Sequence, residues 1–480
     1  MQGMTPYSDI QKSIEARTSF CASLVDGALK RARDLGSLNA FIELFDEDAR
    51  ASALVSDRRI VEGRSRPLEG MLVGIKDNIC VRGHEATAGS NFLAGHRAVY
   101  DATVIRRLRE SGAVLLGRTN MDEFAMGSSG QTSAYGPTLH PDLEGYVPGG
   151  SSSGSASAVA ARLVHGALGT DTGGSVRQPA AYTGCVGMKP TYGRVSRYGL
   201  IAFSSSCDQI GPLTATVHDN ARILSAIAGV DPFDATTADL DVPDFSAHCD
   251  EGIAGLRIGL PTEYLGEDVD VELRTHVRSV ADQLRVRGAE IVDVSLPLTP
   301  VVFPAYFLIA NAEAASNLAR YDGVRQGKRS PEDGDLAETY IESRSRGFGR
   351  EVKRRIMLGT FVQTEGFAAR WHEKALRVRR KVTDELRETF ERVDLLLTPV
   401  TPGPPFRLGE RMDDPMQMYL TDVFNTAANL AGNPALAVPT GNDDQGRPRA
   451  VQLMAGHFRE DLCYRAGAAI EEAFRGEGDE

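Results

Sequence analysis

No run in this sequence approaches the roughly eighteen uninterrupted apolar residues of a membrane helix, and its start has no basic stretch followed by an apolar core. Membrane spanning and secretion are not expected; a cytoplasmic location is. Cysteine is sparse. Cys21, Cys80, Cys185, Cys207, Cys249 and Cys463 are scattered without a C-x-x-C pair, which reads as isolated thiols in a reducing compartment. The nine histidines form no H-E-x-x-H pattern, so no metal site is expected. A P-loop is missing too: the nearest imitation, Gly323 to Ser330, is one residue short and ends wrongly, and no G-x-G-x-x-G stands between a strand and a helix. Nor is there an excess of basic charge. The net charge is −12, whereas a chain that grips RNA alone presents a basic surface to the phosphates. Any nucleic acid is expected to be held mainly by another protein.

What the sequence holds is three short stretches far apart: MLVGIKDNIC around Lys76, PGGSSSGSA around Ser151 and GTDTGGSVRQPA around Ser175. Cleaving an amide needs a nucleophile, a group to take its proton, and fixed N–H donors facing the oxyanion that forms on attack. Two serines and a lysine can supply the first two without a metal, and the glycines beside both serines let backbone approach a substrate closely. Taken singly, a Ser/Gly-rich stretch such as Pro148 to Ser155 reads as a flexible linker, and a lysine after a strand as a solvated side chain. The conjunction of the three, with a helix expected over Ala156 to Ala161, outweighs both readings.

These stretches resemble the core of the amidase signature family, and the resemblance runs over nearly the whole chain. It implies that Ser175 is the nucleophile, that Ser151 is the bridging serine that follows a cis peptide bond from Gly150, and that Lys76 is the base. A lysine ordinarily titrates near ~10.4, so Lys76 can act as a base near neutrality only if burial lowers that value; the apolar run Met71 to Ile75 would carry it inside. Once neutral, its amine could take the Ser175 proton through Ser151 as a relay. The amides of Thr172, Gly173, Gly174 and Ser175 are then the candidate oxyanion hole.

Residues Ser8 to Leu54 carry helical periodicity without strand alternation, which predicts two or three helices packed on a core. From Met71 short apolar runs alternate with amphipathic helices: MLVGI and AVLLG (Ala113 to Gly117) flank a helix over Asp101 to Gly112, with Val104, Ile105 and Leu108 on one side. Arg257 to Leu260 predicts another strand, Val271 to Arg287 a helix, and Glu290 to Pro297 a strand. Phe303 to Val393 is mostly helical, ending in Val378, Val382, Leu386 and Phe390 at four-residue intervals, and Asp394 to Val400 returns to the sheet. This order predicts the α/β class, a single α/β/α sandwich with its sheet covered by helices, and the family resemblance implies the same sandwich with a mixed central sheet. One domain spans 1–480: N-terminal helices over 1–60, a signature core over 61–230, an α/β continuation over 231–300, a helical cap over 301–393 and the rest of the core over 394–480.

Four longer stretches, Thr119 to Thr138, Asp208 to Asn220, Asn311 to Arg329 and Gly347 to Phe361, resemble one branch of the family, the A subunits of glutamyl-tRNA(Gln)/aspartyl-tRNA(Asn) amidotransferases. That resemblance implies a glutaminase whose ammonia passes to a B subunit, which amidates glutamate or aspartate on the wrong tRNA, while a small C subunit clasps the other two together. It implies no cofactor in this chain, ATP and Mg2+ on the partner subunit, and tRNA held mainly through B. Free glutamine offers an α-carboxylate and an α-ammonium, which call for an arginine and a carboxylate. By motif matching Arg355 takes the first, Asp422 takes the second, Tyr306 orients the substrate, and Gly127 and Ser128 complete the pocket. The chain departs from the branch at Ser153 and Ser157, where GGSSGGSAAAV is usual. It departs again in the loop SSGQTSAYGP from Ser128 to Pro137, where SSTENSAFGP is usual, and at Cys207, where leucine is usual. Two readings stay open: the amidotransferase subunit, or a stand-alone amidase of the same family acting on another small amide. A non-catalytic assembly subunit would have lost Lys76, Ser151 or Ser175, and all three are present.

Overall fold

The computed structural model describes residues 7–16, 20–267, 269–331 and 334–474. Eleven strands form one sheet: β1 (Phe41–Leu44), β2 (Leu72–Lys76), β3 (Val114–Thr119), β4 (Gly166–Asp171), β5 (Val186–Lys189), β6 (Gln209–Thr214), β7 (Arg257–Pro261), β8 (Glu290–Val294), β9 (Leu395–Pro399), β10 (Ala435–Asn442) and β11 (Pro448–Ala455). Their spatial order is β1-β3-β2-β4-β6-β5-β10-β11-β9-β7-β8. Pairing is parallel within β3-β2-β4 and β9-β7-β8 and antiparallel in between and at β1–β3, so the sheet is mixed, as the family resemblance implies. The late strands β10 and β11 sit in the middle of the sheet, between β5 and β9.

Central strands carry continuous apolar runs because both of their faces are covered: Leu72, Val73 and Ile75 of β2 and Leu395, Leu396 and Leu397 of β9 are all buried. The helix Thr103–Ser111 buries Val104, Ile105 and Leu108 and stops at Gly112, whose φ of 96° is a left-handed conformation that glycine adopts freely. Four α-helices make up the cap: Thr299–Leu318, Leu336–Gly347, Arg350–Gln363 and Glu373–Arg392. The second opens with a capping box of Asp335 and Glu338. An apolar cluster that includes Ile309, Val352 and Leu386 of the cap and Leu396 of β9 fastens the cap to the sheet.

Some expected elements change. The N-terminal stretch read as wholly helical contains β1, an edge strand that pairs with β3 alone. Its four residues are all half-buried, so no alternation marks them, and the pairing is supplied by a neighbour distant in sequence. Helices Tyr7–Glu15, Cys21–Asp34 and Asp46–Val61 occupy the rest, and residues 17–19 of that stretch lie outside the described residues. The helix expected from Ala156 begins at Ser153. Its first turn is closed by the Ala156 N–H donating to the Ser152 carbonyl at 3.0 Å. β8 stops at Val294 rather than Pro297, because the Leu296 N–H leaves the ladder and donates to Glu263 Oε2 at 2.7 Å. Among the described residues no helix is long and apolar enough to cross a membrane, and no cluster of three or more His, Cys, Asp or Glu could hold a metal ion.

Candidate active site

The parallel strands β2 and β4 end side by side, which brings Lys76 next to the segment leading to Ser175. Lys76 is the last residue of β2 and is buried. Its Nζ lies 2.8 Å from each of Ser151 Oγ, Ser152 Oγ and Thr170 Oγ1, and 3.3 Å from the Thr170 carbonyl. Burial pushes the amine down to about 7, against the opposing pull of Asp122, Asp171 and Asp208. A neutral amine among hydroxyls can accept a proton from one of them. The Gly150–Ser151 peptide bond is cis. The Ser152 N–H donates to the Ser175 carbonyl at 3.2 Å, tying the two serine stretches together.

Ser175 stands on the turn between β4 and the helix Arg177–Thr183. Asp171, at the end of β4, holds that turn by accepting the N–H groups of Gly174 at 2.9 Å and Val176 at 3.2 Å. It also pairs with the buried Arg177 guanidinium, at 3.0 Å from Nε and 2.9 Å from Nη2. Burial alone would raise the Asp171 pKa; Arg177 overcomes this and holds the carboxyl well below the usual range. Arg177 donates in turn to Asn429 Oδ1 at 2.7 Å and Gln452 Oε1 at 2.5 Å.

Within the candidate oxyanion hole of Thr172, Gly173, Gly174 and Ser175, the Gly174 amide already donates to Asp171 Oδ1. The amides of Gly173 and Ser175 have no hydrogen-bond partner among the described residues. Thr172 is fixed by its hydroxyl, which donates to Asp208 Oδ1 at 2.6 Å. There is no room for larger residues. At Gly174 φ is 138° and a Cβ would lie 2.5 Å from Asp422 Oδ1, while a Cβ at Gly173 would run into Tyr306. Sequence reasoning missed Ser152, Thr170, Asp171, Arg177 and Asp208. For Asp171 and Arg177 the signal was in plain view, a carboxylate and a guanidinium flanking the serine in GTDTGGSVRQPA.

Ser175 opens onto a small cavity whose walls include Gly127, Ser128, Tyr306, Arg355 and Asp422, so every residue expected to touch substrate surrounds one space. Asp422 Oδ2 accepts the Ser128 hydroxyl at 2.6 Å, while its Oδ1 is buried without a partner. An unanswered buried carboxylate oxygen is costly until a cation meets it. Burial pushes this acid up to about 7, and the nearby Asp171 adds to the shift. Arg355 is carried by the helix Arg350–Gln363. Its Nε donates to Glu351 Oε1 at 2.8 Å, and its guanidinium carbon lies 5.0 Å from the Tyr419 ring centre and 5.5 Å from that of Phe203. Its Nη atoms have no hydrogen-bond partner among the described residues. Tyr306, on the helix Thr299–Leu318, is buried, which pushes its phenol well above the usual value.

Two of the departures from the family pattern meet each other. Gly130 has φ 75°, and a Cβ there would lie 2.5 Å from the Cβ of Ser153, whose hydroxyl is 2.9 Å from Thr138 Oγ1. A larger residue at 130 and a serine at 153 therefore exclude one another. Ser157 donates to the Leu139 carbonyl at 2.9 Å. Neither serine lines the cavity; both fasten the loop after Ser128 to the helix behind the site. Cys207 is buried and also lies outside the cavity walls.

A mixed sheet that sets a buried lysine against the hydroxyls of one serine turn, itself tied through the Ser152 N–H to the turn that carries Ser175, is the framework of an amide hydrolase, and the chain belongs to the Amidase family, whose sequence profile matches residues 23–464. Its relatives narrow the class. The chain is 50% identical over 467 residues to the A subunit of glutamyl-tRNA(Gln) amidotransferase from Halorhodospira halophila, covering 97% of this chain and 96% of that protein. Over 510 aligned positions it is 47% identical to the corresponding protein of Salinibacter ruber, covering 97% and 99%. The crystal structure of the glutamyl-tRNA(Gln) amidotransferase A subunit from Thermotoga maritima matches with a TM-score of 0.74 at 42% identity, over 85% of this chain and 84% of that one.

Proposed function

We propose that this chain is the glutaminase subunit of a tRNA-dependent amidotransferase, working in the cytoplasm with B and C subunits to supply ammonia for amidation of Glu-tRNA(Gln) or Asp-tRNA(Asn). The observation that carries the reading is the cavity over Ser175, where the unpartnered Asp422 Oδ1 and the uncommitted Nη atoms of Arg355 share one space with the serine. Those two groups complement the ammonium and carboxylate of a free amino acid. A simple aliphatic amide would leave both unanswered.

In this reading the Ser175 Oγ attacks the carboxamide carbon of glutamine while its proton passes through Ser151 to the neutral amine of Lys76. The oxyanion faces the N–H groups of Gly173 and Ser175, with the amide of Thr172 alongside. As the C–N bond breaks, the proton on Lys76 returns through Ser151 to the leaving nitrogen, and ammonia departs from a glutamyl ester on Ser175. Water then attacks the ester, gives its proton to the same relay, and releases glutamate and free Ser175. ATP and Mg2+ belong to the partner's step, and tRNA is held mainly by B.

The test is ammonia release from glutamine beside a panel of simple amides, with and without B and C subunits and glutamyl-tRNA(Gln). Glutamine turnover that rises with the partners is expected. Partner-independent turnover of a simple amide, with glutamine ignored, would instead make the chain a stand-alone amidase.

A further inference from the structure

Glu351 lies one helical turn before Arg355 on the helix Arg350–Gln363, and its carboxylate is shared three ways. Oε1 accepts from Arg355 Nε at 2.8 Å and from the Tyr419 hydroxyl at 2.7 Å, while Oε2 accepts from Arg354 Nη1 at 2.6 Å. Tyr419 belongs to the helix Pro415–Leu420, and the Asp422 N–H that follows donates to the Tyr419 carbonyl at 3.3 Å. One carboxylate thus joins the helix that carries Arg355 to the segment that carries Asp422.

We propose that Glu351, acting through Tyr419, is a specificity-determining positioning residue that sets the aim of the Arg355 guanidinium and its separation from Asp422, restricting the pocket to substrates with a free α-amino acid head. The inference rests on the reading of Arg355 and Asp422 as the head-group contacts. A guanidinium is a planar fork of five N–H donors, useful for a carboxylate only when its plane is fixed. Here Nε is committed to Glu351 and the plane packs against the rings of Tyr419 and Phe203, which leaves the terminal N–H groups for a ligand. Without the Glu351 charge, Arg354 and Arg355 would stand as neighbouring cations with no anion between them. A substrate that lacks the head brings no carboxylate for the Arg355 guanidinium to meet, so its turnover does not depend on how that guanidinium is aimed.

Glu351→Gln keeps the side-chain shape and removes the charge; Tyr419→Phe keeps the ring and removes the hydroxyl. Ammonia release by the full chain assembled with its B and C subunits is measured for glutamine and for butyramide, an amide without the head. Glu351→Gln is expected to raise KM for glutamine about tenfold and Tyr419→Phe about threefold, each with kcat within about twofold, as loss of a hydrogen bond to a charged group implies. Any butyramide turnover should be unchanged in Glu351→Gln. Unchanged KM for glutamine in both variants overturns the proposal, and so does a fall in kcat at constant KM. Arg355→Ala, measured alongside, separates the two layers. If it raises KM while the other two do not, this proposal alone fails; if it too leaves KM unchanged, the head-group reading itself fails.

Discussion

Lys76 and Lys189 each end a strand of the same sheet, β2 and β5, and burial pushes both amines down to about 7, with Arg177 helping at Lys189. Their company differs. Lys76 Nζ has hydroxyl oxygens of Ser151, Ser152 and Thr170 at 2.8 Å, whereas Lys189 Nζ donates to the Pro190 carbonyl at 2.8 Å. A hydroxyl has a proton to give and a carbonyl has none, and among the described residues the Lys189 amine is hydrogen-bonded to a carbonyl alone. Burial leaves a lysine unprotonated, and so free to accept a proton, near neutral pH; only its neighbours decide whether there is work for it. A shifted pKa alone would have nominated both.

The comparison breaks hardest at the reacting atoms. Ser175→Ala should abolish ammonia release while leaving the thermal unfolding midpoint in place; unchanged release would remove the whole mechanism. Lys76→Ala should slow release by roughly a thousandfold or more, the usual worth of a positioned base. Lys76→Arg should not rescue it, because a guanidinium keeps its proton throughout the working range. A fully active arginine variant would place the base elsewhere.

A smaller effect appears in the pH profile. Lowering the pH through about 7 protonates Lys76, which must be neutral to act, and Asp422, which must be ionised to meet an ammonium. Log kcat/KM for glutamine should therefore fall below that pH with a slope approaching two. Asp422→Asn should raise KM for glutamine roughly ten- to a hundredfold and reduce that slope to one. A wild-type slope of one would mean that only one of the two groups titrates there.

The smallest effect should come from Lys189→Met, with kcat/KM staying within about twofold. Its signature lies in stability. An amine at about 7 in the fold and near ~10.4 in the unfolded chain gives up its proton on folding between those values. The unfolded chain then binds more protons, so the unfolding free energy rises with pH across that window. Lys189→Met should flatten the rise between pH 7 and roughly 10, as read by urea unfolding; an unchanged slope would mean that Lys189 is not displaced from its ordinary value.

Much of this architecture was legible. The apolar runs that became β2, β3, β7 and β9 announce buried strands, and Lys76, Ser151 and Ser175 stand out through their motifs. β1 did not, because a half-buried edge strand carries no alternation. In β10, Pro439 and Gly441 interrupt the pattern; Pro439 is tolerated because it lies past the last residue that β5 pairs. The Ser/Gly stretch looks like a linker until its hydroxyls find partners. Ser155 donates to the Leu168 carbonyl at 2.9 Å, and Ser157 and Ser152 are likewise bonded to backbone distant in sequence. Asp208 is the extreme case, its link to Thr172 spanning separate turns with no local mark. The commitment of the Gly174 amide is hidden for the same reason, since nothing in a run of glycines says which N–H an aspartate has already claimed.

Finally, the site is stitched across nearly the whole chain. Ser128 reaches Asp422 across 294 residues, and Arg177 reaches Gln452 across 275. Contacts of such separation form late, because long loops must close before they are rewarded. During synthesis Lys76, Ser151 and Ser175 emerge long before Asn429 and Gln452, so the Arg177 that braces the nucleophile turn is left without those two acceptors, and the gap between β5 and β9 stays open until the β10–β11 hairpin fills it. Competence for chemistry thus arrives with completion of the chain, and an interrupted or clipped polypeptide carries the signature without the power to use it.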